Sequence, residues 1–269
     1  MKSFALMQPH FFPYIGYFFL IFSSDIFVIY DTAQFSHQSW QSRNRIIDQS
    51  GIIRMVSVPV DCSTKFLPIS EVLLSKGRFT SLEESLKELT NRIESYYYAA
   101  PFVSSLKDFL VAAFEDTNSM RLVDLNIRII QVACTKLGGC IGRFPDIRLF
   151  SEVMETVPDV MSQERVKRIA QCASILKCDQ YLTPVGSVEY MLSSQCLHEL
   201  KQVTTTVLTS NRIHYQQIGA KGKPLPGFQE NLSILDLIAN VGWDGIADIL
   251  LSRDLFDLKE LSSFQSPVL

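Results

Sequence analysis

The chain has 269 residues, of which 47% are hydrophobic and 20% charged, with a formal net charge of −3. This size and composition support one large hydrophobic core and exclude a disordered chain, and the negative balance excludes a general positive field for nucleic acid. Six cysteines (Cys62, Cys134, Cys140, Cys172, Cys178 and Cys196) form no C-x-x-C pair and no Cys/His metal spacing, so free thiols in a reducing, cytoplasmic compartment and no metal are expected.

Ser3 to Met7 is a short apolar run halted at Gln8-Pro9, the pattern of a buried strand. Tyr14, Tyr17, Phe18, Ile21 and Phe22 then recur at helical spacing, and Ile26 to Tyr30 reads as a second strand. Lys2 before an apolar stretch resembles a leader, but Gln8, Pro9, His10 and Pro13 interrupt it. The remaining piece, Tyr14 to Phe22, falls short of the roughly 20 residues that span a bilayer, so no transmembrane segment is expected. Ile52 to Val60 and Ile69 to Leu74 are strand candidates. Thr80 and Glu83 are spaced as a capping box for a helix to about Ser95, followed by helices over Pro101 to Phe114 and Ser119 to Leu137. Ser162 to Cys178 is amphipathic, Gln180 to Thr183 is a strand, and Val203 to Leu208 and Ile213 to Gln217 are further strand candidates. Gly219 to Phe228 is linker-like, and helices start at Ser233 and Asp244.

Strand, helix and strand within the first 30 residues make a βαβ unit. The alternation predicts a single α/β domain over residues 1–269, with a mainly parallel, Rossmann-like sheet flanked by helices. The consecutive helices predict an insertion or subdomain over residues 79–140. In such sheets, ligands sit at the carboxyl ends of the strands, which directs attention to the loops there.

The segment after the first strand holds Gln8, His10, Tyr14, Gly16 and Tyr17 around Pro9 and Pro13, two prolines that fix the turn, at a helix N-terminus able to receive phosphate. The same residues also suit a tight, filled strand–helix junction. The loop after the second strand holds Asp31, Gln34, His37, Trp40, Arg43 and Asn44, a set that can bond sugar hydroxyls, stack on a ring and grip an anion. A polar loop of turn caps and surface pairs is the plainer alternative. Glu164, Arg165 and Arg168 precede a strand-end segment with Tyr181, Thr183, Gly186 and Tyr190. His214, Tyr215 and Gln216 precede Ser233 and Asp236, which are spaced as a helix cap and its partner. Ser233, His214 and Asp236 lack the G-x-S-x-G elbow of a hydrolase triad.

Gln8-Pro9 with Pro13 and Gly16-Tyr17, followed by Tyr30-Asp31-x-x-Gln34-Phe35, resembles the WbqC-like family. Trp40 with Arg43-Asn44-Arg45, Glu164-Arg165, Tyr181 with Gly186 and Tyr190, Tyr215-Gln216 and Leu232 to Asp236 extend the resemblance to about residue 242. Phe150-Ser151-Glu152 departs from the two consecutive serines more usual there. Tyr14-Ile15-Gly16-Tyr17 also stands where nucleotidylyltransferases carry His-x-Gly-His; tyrosines in both histidine positions argue against adenylyl transfer by that route.

The resemblance implies surface-polysaccharide (O-antigen) biosynthesis and a nucleotide-linked or lipid-linked sugar substrate, with other polysaccharide-pathway enzymes as partners. The residues then suggest a transferase moving an acyl or aminoacyl unit onto a nucleotide-linked amino sugar. His10 or His37 would be general base and Asp31 its orienting group. Gln8, Tyr14, Gly16, Tyr17, Gln34, Trp40, Arg43, Asn44, Arg165, Tyr190 and Tyr215 would bind substrate. No cofactor is fixed, although acyl-CoA or another activated acyl donor fits the scheme. The alternative from another class is a non-catalytic protein that binds a sugar intermediate and presents it to a glycosyltransferase.

Overall fold

The computed structural model describes residues 1–61, 67–115, 121–157, 159–210, 213–252 and 256–264. Its strands are β1 (Ser3–Met7), β2 (Ile26–Ile29), β3 (Arg43–Ile47), β4 (Ile53–Ser57), β5 (Asp146–Leu149), β6 (Gln180–Pro184), β7 (Thr204–Ser210) and β8 (Phe256–Glu260). The long helices are α1 (Ile15–Ser23), α2 (Leu82–Tyr97), α3 (Val103–Phe114), α4 (Leu122–Ile141), α6 (Arg165–Leu176) and α9 (Ile234–Leu251). The short ones are α5 (Phe150–Val153), α7 (Val188–Met191) and α8 (Ser194–Glu199).

Six strands form one sheet in the order β5-β2-β1-β6-β7-β8. All pairings are parallel except that of β8, which closes the edge antiparallel to β7. The pleat sends alternate side chains of β1 to two cores. Phe4 and Leu6 pack with Tyr181, Val207 and the apolar side of α6, whereas Ala5 packs with Phe27, Leu182 and the layer formed by α1, α4 and α9. A mainly parallel sheet covered by helices on both faces is the fold class the alternation predicts.

The chain leaves β1 toward β2 and β5 on one side and later returns to β6 on the other. The carboxyl ends of β1 and β6 are therefore a topological switch point, where an open α/β sheet forms its crevice. Helices α2, α3 and α4 share one core with α1, α9 and the sheet.

Several local expectations are corrected. Arg43 and Asn44, read as part of a polar loop, open a strand whose antiparallel partner is β4, while Ile69 to Leu74, expected as a strand beside Ile52 to Val60, meets that segment through the Val60–Leu74 bridge. Residues Ile69–Glu71 form one 3-10 turn, with isolated bridges at Leu73 and Leu74. The cap of α2 is shifted by one residue. Ser81 Oγ accepts from Glu84 N at 3.1 Å, while the Glu84 carboxylate accepts from Thr80 N and Oγ. Ile213 to Gln217 is not a strand, because its polar atoms are drawn to α9: Ile218 N donates to Asn240 Oδ1, and Tyr215 and Gln217 donate to Asp236. Cys62 and the expected helix start at Ser119 lie outside the described residues, and Cys134, Cys140, Cys172, Cys178 and Cys196 are free thiols.

The helices expected from Ser233 and Asp244 are the two halves of α9, which breaks at Gly242 with φ 74° and ψ 173°. That backbone region is essentially confined to glycine, and a Cβ there would meet the Phe102 ring at 2.7 Å. Phe102 N also donates to Ala239 O, so the break seats the start of α3. Gly242→Ala is expected to lower unfolding free energy by about 1–3 kcal/mol, read as a shift in the urea midpoint at unchanged m-value.

Candidate functional site

The loop after β1 buries Phe11 and Phe12 completely, with Phe12 at φ 45°. Its carbonyls must therefore find donors inside the protein. Asn126 Nδ2 of α4 donates to Pro9 O (3.0 Å) and to Gln41 O (2.7 Å). Asn44 Nδ2 of β3 donates to Phe11 O and Phe12 O, Ser233 Oγ also donates to Phe12 O, and Ile234 N donates to Pro13 O. The second loop is tied to the first through Phe11 N, which donates to Trp40 O. Gln41, itself buried, donates through Nε2 to Gln8 Oε1 and Gln34 O while its Oε1 accepts from Ser36 N and Ser39 Oγ.

Held this way, both loops border one cavity of about 860 Å³ at the switch point. Gln8 and His10 come from the first loop, Gln34, Ser36 and His37 from the second, and Arg165 and Arg168 from the start of α6. Among the described residues, no carboxylate lines it. Arg165 and Arg168 stand three residues apart on one helix face. Each guanidinium lies over an aromatic ring, Arg165 over Tyr190 at 5.2 Å and Arg168 over Tyr30 at 5.4 Å. Arg168 Nε is buried without a hydrogen-bond partner. Glu164 is the N-cap of α6, so the two cations sit at a helix start, where the dipole is positive, with one carboxylate residue at the cap.

His10 lines the cavity with its ring 5.3 Å from that of Tyr17. Burial lowers its pKa to about 4, so the imidazole is neutral at pH 7 and a weak proton acceptor. His37 is exposed at the cavity, with its ring edge-on to Phe35.

Other candidates are placed elsewhere. Asp31 orients neither histidine: its carboxylate accepts from Ser151 N (3.0 Å) and Ser151 Oγ (2.6 Å). Tyr17 is fully buried and donates to Gln8 O, a positioning contact. Gly16 makes room for the ring of Tyr14, which a Cβ would approach to 2.5 Å, so the α1 N-terminus is covered by tyrosine. Asn44 is occupied by the loop carbonyls, and Arg43 does not line the large cavity. Tyr190 reaches the site only through Arg165. Trp40 lines a smaller neighbouring cavity, and Tyr215 a third, beside Gly16 and Glu230.

Tyr215 belongs to a buried polar hub. Asp236 is fully buried, and its carboxylate accepts from Tyr215 (2.5 Å), Tyr97 (3.0 Å) and Gln217 (3.1 Å). Burial outweighs these donors and raises its pKa to about 6. Ser233 caps α9 by accepting from Leu235 N, so it is used structurally, and Asp236 is not its capping partner.

Sequence reasoning missed Gln41, Asn126 and Ser36. Gln41 and Ser36 fall inside the polar cluster already singled out, whereas nothing local marks Asn126 in the apolar run of α4. Among the described residues, no group of three or more His, Cys, Asp or Glu side chains is placed to hold a metal ion. Nor is any helix there long and apolar enough to cross a membrane.

The WbqC-like protein family model matches residues 8–248, a span that contains both loops, the α6 arginines and the Asp236 hub. The chain belongs to the WbqC-like family. It is also similar to a Mycobacterium tuberculosis protein named only "Uncharacterized protein Rv1507c", at 26% identity over 243 residues covering 90% of this chain and 95% of that one. No solved structure matches. Within that matched span, Ser151 supplies both donors to Asp31.

Two outcomes test this geometry. Asn126→Leu would leave the Pro9 and Gln41 carbonyls unpaired and is expected to cost roughly 2–6 kcal/mol, since each buried orphan costs about 1–3 kcal/mol, measured by urea unfolding. The second concerns pH. Asp236 binds its proton more tightly folded than unfolded, so its contribution favours the folded state at low pH and is lost as pH rises through about 6. His10 has the opposite sign, its stabilising share being lost as pH falls below 6.5 toward 4. The His10 contribution is common to wild type and Asp236→Asn and cancels in their difference. Wild type is therefore expected to gain stability relative to Asp236→Asn as pH falls from 6 to 4; a flat difference curve would contradict the raised pKa.

Proposed function

We propose that this WbqC-like protein is a transferase that binds a nucleotide-linked amino sugar in the large cavity and moves an acyl or aminoacyl unit onto it. One observation carries the reading: Arg165 and Arg168, stacked and pointed at one end of the sheet, stand at a helix N-terminus beside a cavity without a carboxylate. Beside the single Glu164 carboxylate at the N-cap, the two guanidinium groups leave the helix start net positive, a charge that a bound diphosphate would neutralise. The Arg168 Nε–H, without a protein partner, is a ready donor to such an oxyanion. Gln8, Gln34, Ser36 and Ser187 offer donors and acceptors for sugar hydroxyls. Family membership supports a place in polysaccharide biosynthesis, with surface polysaccharides of the O-antigen type as the finer reading.

In the reaction we infer, the sugar amine attacks the carbonyl carbon of an activated acyl donor such as acyl-CoA. The nitrogen–carbon bond forms, the amine proton passes to His37, and the donor's leaving group departs with its electron pair and then that proton. His37 suits this role better than His10, whose enclosed imidazole is too weak a base near neutral pH. The engagement of Asp31 by Ser151 leaves His37 without that carboxylate as orienter, which favours a second reading: a protein that binds a sugar intermediate and hands it to a partner glycosyltransferase.

The test is binding followed by turnover. UDP-, dTDP- or GDP-sugars should raise the melting temperature, with the affinity falling at least about tenfold in Arg168→Ala, as expected when one charge-assisted contact is lost. Silence across the whole panel would reject the nucleotide-sugar reading. A His37→Gln variant that binds but no longer forms product supports the transferase, and one that retains full turnover in the reconstituted pathway would shift the assignment to the handing-over role.

A further inference from the structure

His10 is a wall shared by two cavities. The smaller, of about 280 Å³, is lined by His10, Tyr14, Trp40, Asn44, Arg45 and Asn231. Among the described residues, Arg45 is the one cation in that lining, and no carboxylate accompanies it. Its guanidinium lies 5.3 Å from the centre of the Trp40 ring and is held by a bond from Nη2 to the Asn231 carbonyl at 3.1 Å. Its Nε is buried and has no partner. Trp40 is 43% exposed, although its backbone carbonyl is fixed by Phe11. An indole displayed on a pinned loop beside an unpaired guanidinium N–H provides a flat apolar surface next to an oxyanion donor.

The charge and the space narrow the occupant. A guanidinium edge matches either carboxylate or phosphate, but one cation balances one negative charge, whereas a phosphate monoester carries about −1.5 to −2. The volume lies near the lower end of ligand pockets, roughly 300 Å³, which suits a small molecule. We propose that the Trp40–Arg45 cavity is a second binding site, for a small carboxylate-bearing molecule whose ring lies on Trp40, adjoining the large cavity at His10. Binding there stands by itself; only treating its occupant as the second substrate rests on the reading under Proposed function.

The chain contains two tryptophans, so a Trp243→Phe background leaves Trp40 as the sole indole reporter. In that protein, glucuronate is expected to change the Trp40 fluorescence saturably in the millimolar range, while glucose, the same ring without the carboxylate, is expected not to. Arg45→Gln should weaken glucuronate at least about tenfold. Arg45→Lys, which keeps the charge but loses the Nε–Nη edge, gives the same reading if the glutamine variant does not fold. Arg168→Ala should leave the glucuronate response unchanged while weakening nucleotide-sugar binding at least about tenfold, so failure of the large-cavity reading is seen separately. No saturable response to glucuronate, undiminished affinity in Arg45→Lys, or tighter binding of inorganic phosphate than of glucuronate would each overturn the assignment.

Discussion

The constraint on which this molecule depends is the burial of peptide carbonyls in the loop after the first strand. Residues 9 to 13 run through an apolar interior, with Phe11 and Phe12 inaccessible, so water cannot satisfy them. Donors come instead from α4, β3 and α9, elements spread over more than two hundred residues of sequence. Each unmade bond would cost about 1–3 kcal/mol, a large fraction of a domain's net stability. Satisfying this loop therefore forces three distant elements into register around it, and the second loop follows because Gln41 and Trp40 are bonded into the same set.

Much of the framework was legible because it depends on short-range periodicity. β1, α1 and β2 read correctly from apolar spacing, and α6 followed by β6 read correctly from amphipathicity and a β-rich run. β3 was hidden because Arg43-Asn44-Arg45 resembles a polar loop. In the fold, Asn44 turns inward, and its burial is tolerated only because two carbonyls 32 and 33 residues away in sequence accept from its amide. β5 and β8 are short, charged edge strands, which carry little of the apolar signal of a central strand. Ile213 to Gln217 failed in the opposite direction. Its alternation suits a strand, but the buried Asp236 carboxylate recruits Tyr215 and Gln217 as donors and so fixes the segment against α9.

The candidate site divides along the same line. Gln8, His10, Gln34, His37 and Arg165 were marked by residue type close to strand ends, and the topology brings them to one cavity. The part played by Asp31 could not be read locally, because its partner, Ser151, lies 120 residues on. Gly16 was marked both for a helix start open to phosphate and for a tight, filled junction, and the space left by its missing Cβ is filled by Tyr14, as in the second of these. Arg165 and Arg168 did carry a local signal, two cations at the start of a helix whose N-cap, Glu164, supplies a single acid. A break in local consistency of this kind tends to mark a working surface.

The net charge of −3 makes that break more informative. A protein that is negative overall cannot draw an anion by its general field, and at physiological salt the field of any exposed charge fades within about 8 Å. Anion recognition must therefore come from close contact with groups already in place. Stacking of Arg165 on Tyr190 and Arg168 on Tyr30 limits the side-chain freedom that binding would otherwise have to remove. Arg45 on Trp40 repeats the device at the neighbouring cavity. Between them stands His10, kept neutral by its enclosure, so the wall common to both cavities adds hydrogen-bonding capacity without adding charge. On the two proposed assignments, selectivity is set by how many fixed guanidinium groups each cavity offers: two beside the large space proposed for a diphosphate, one beside the small space proposed for a single carboxylate.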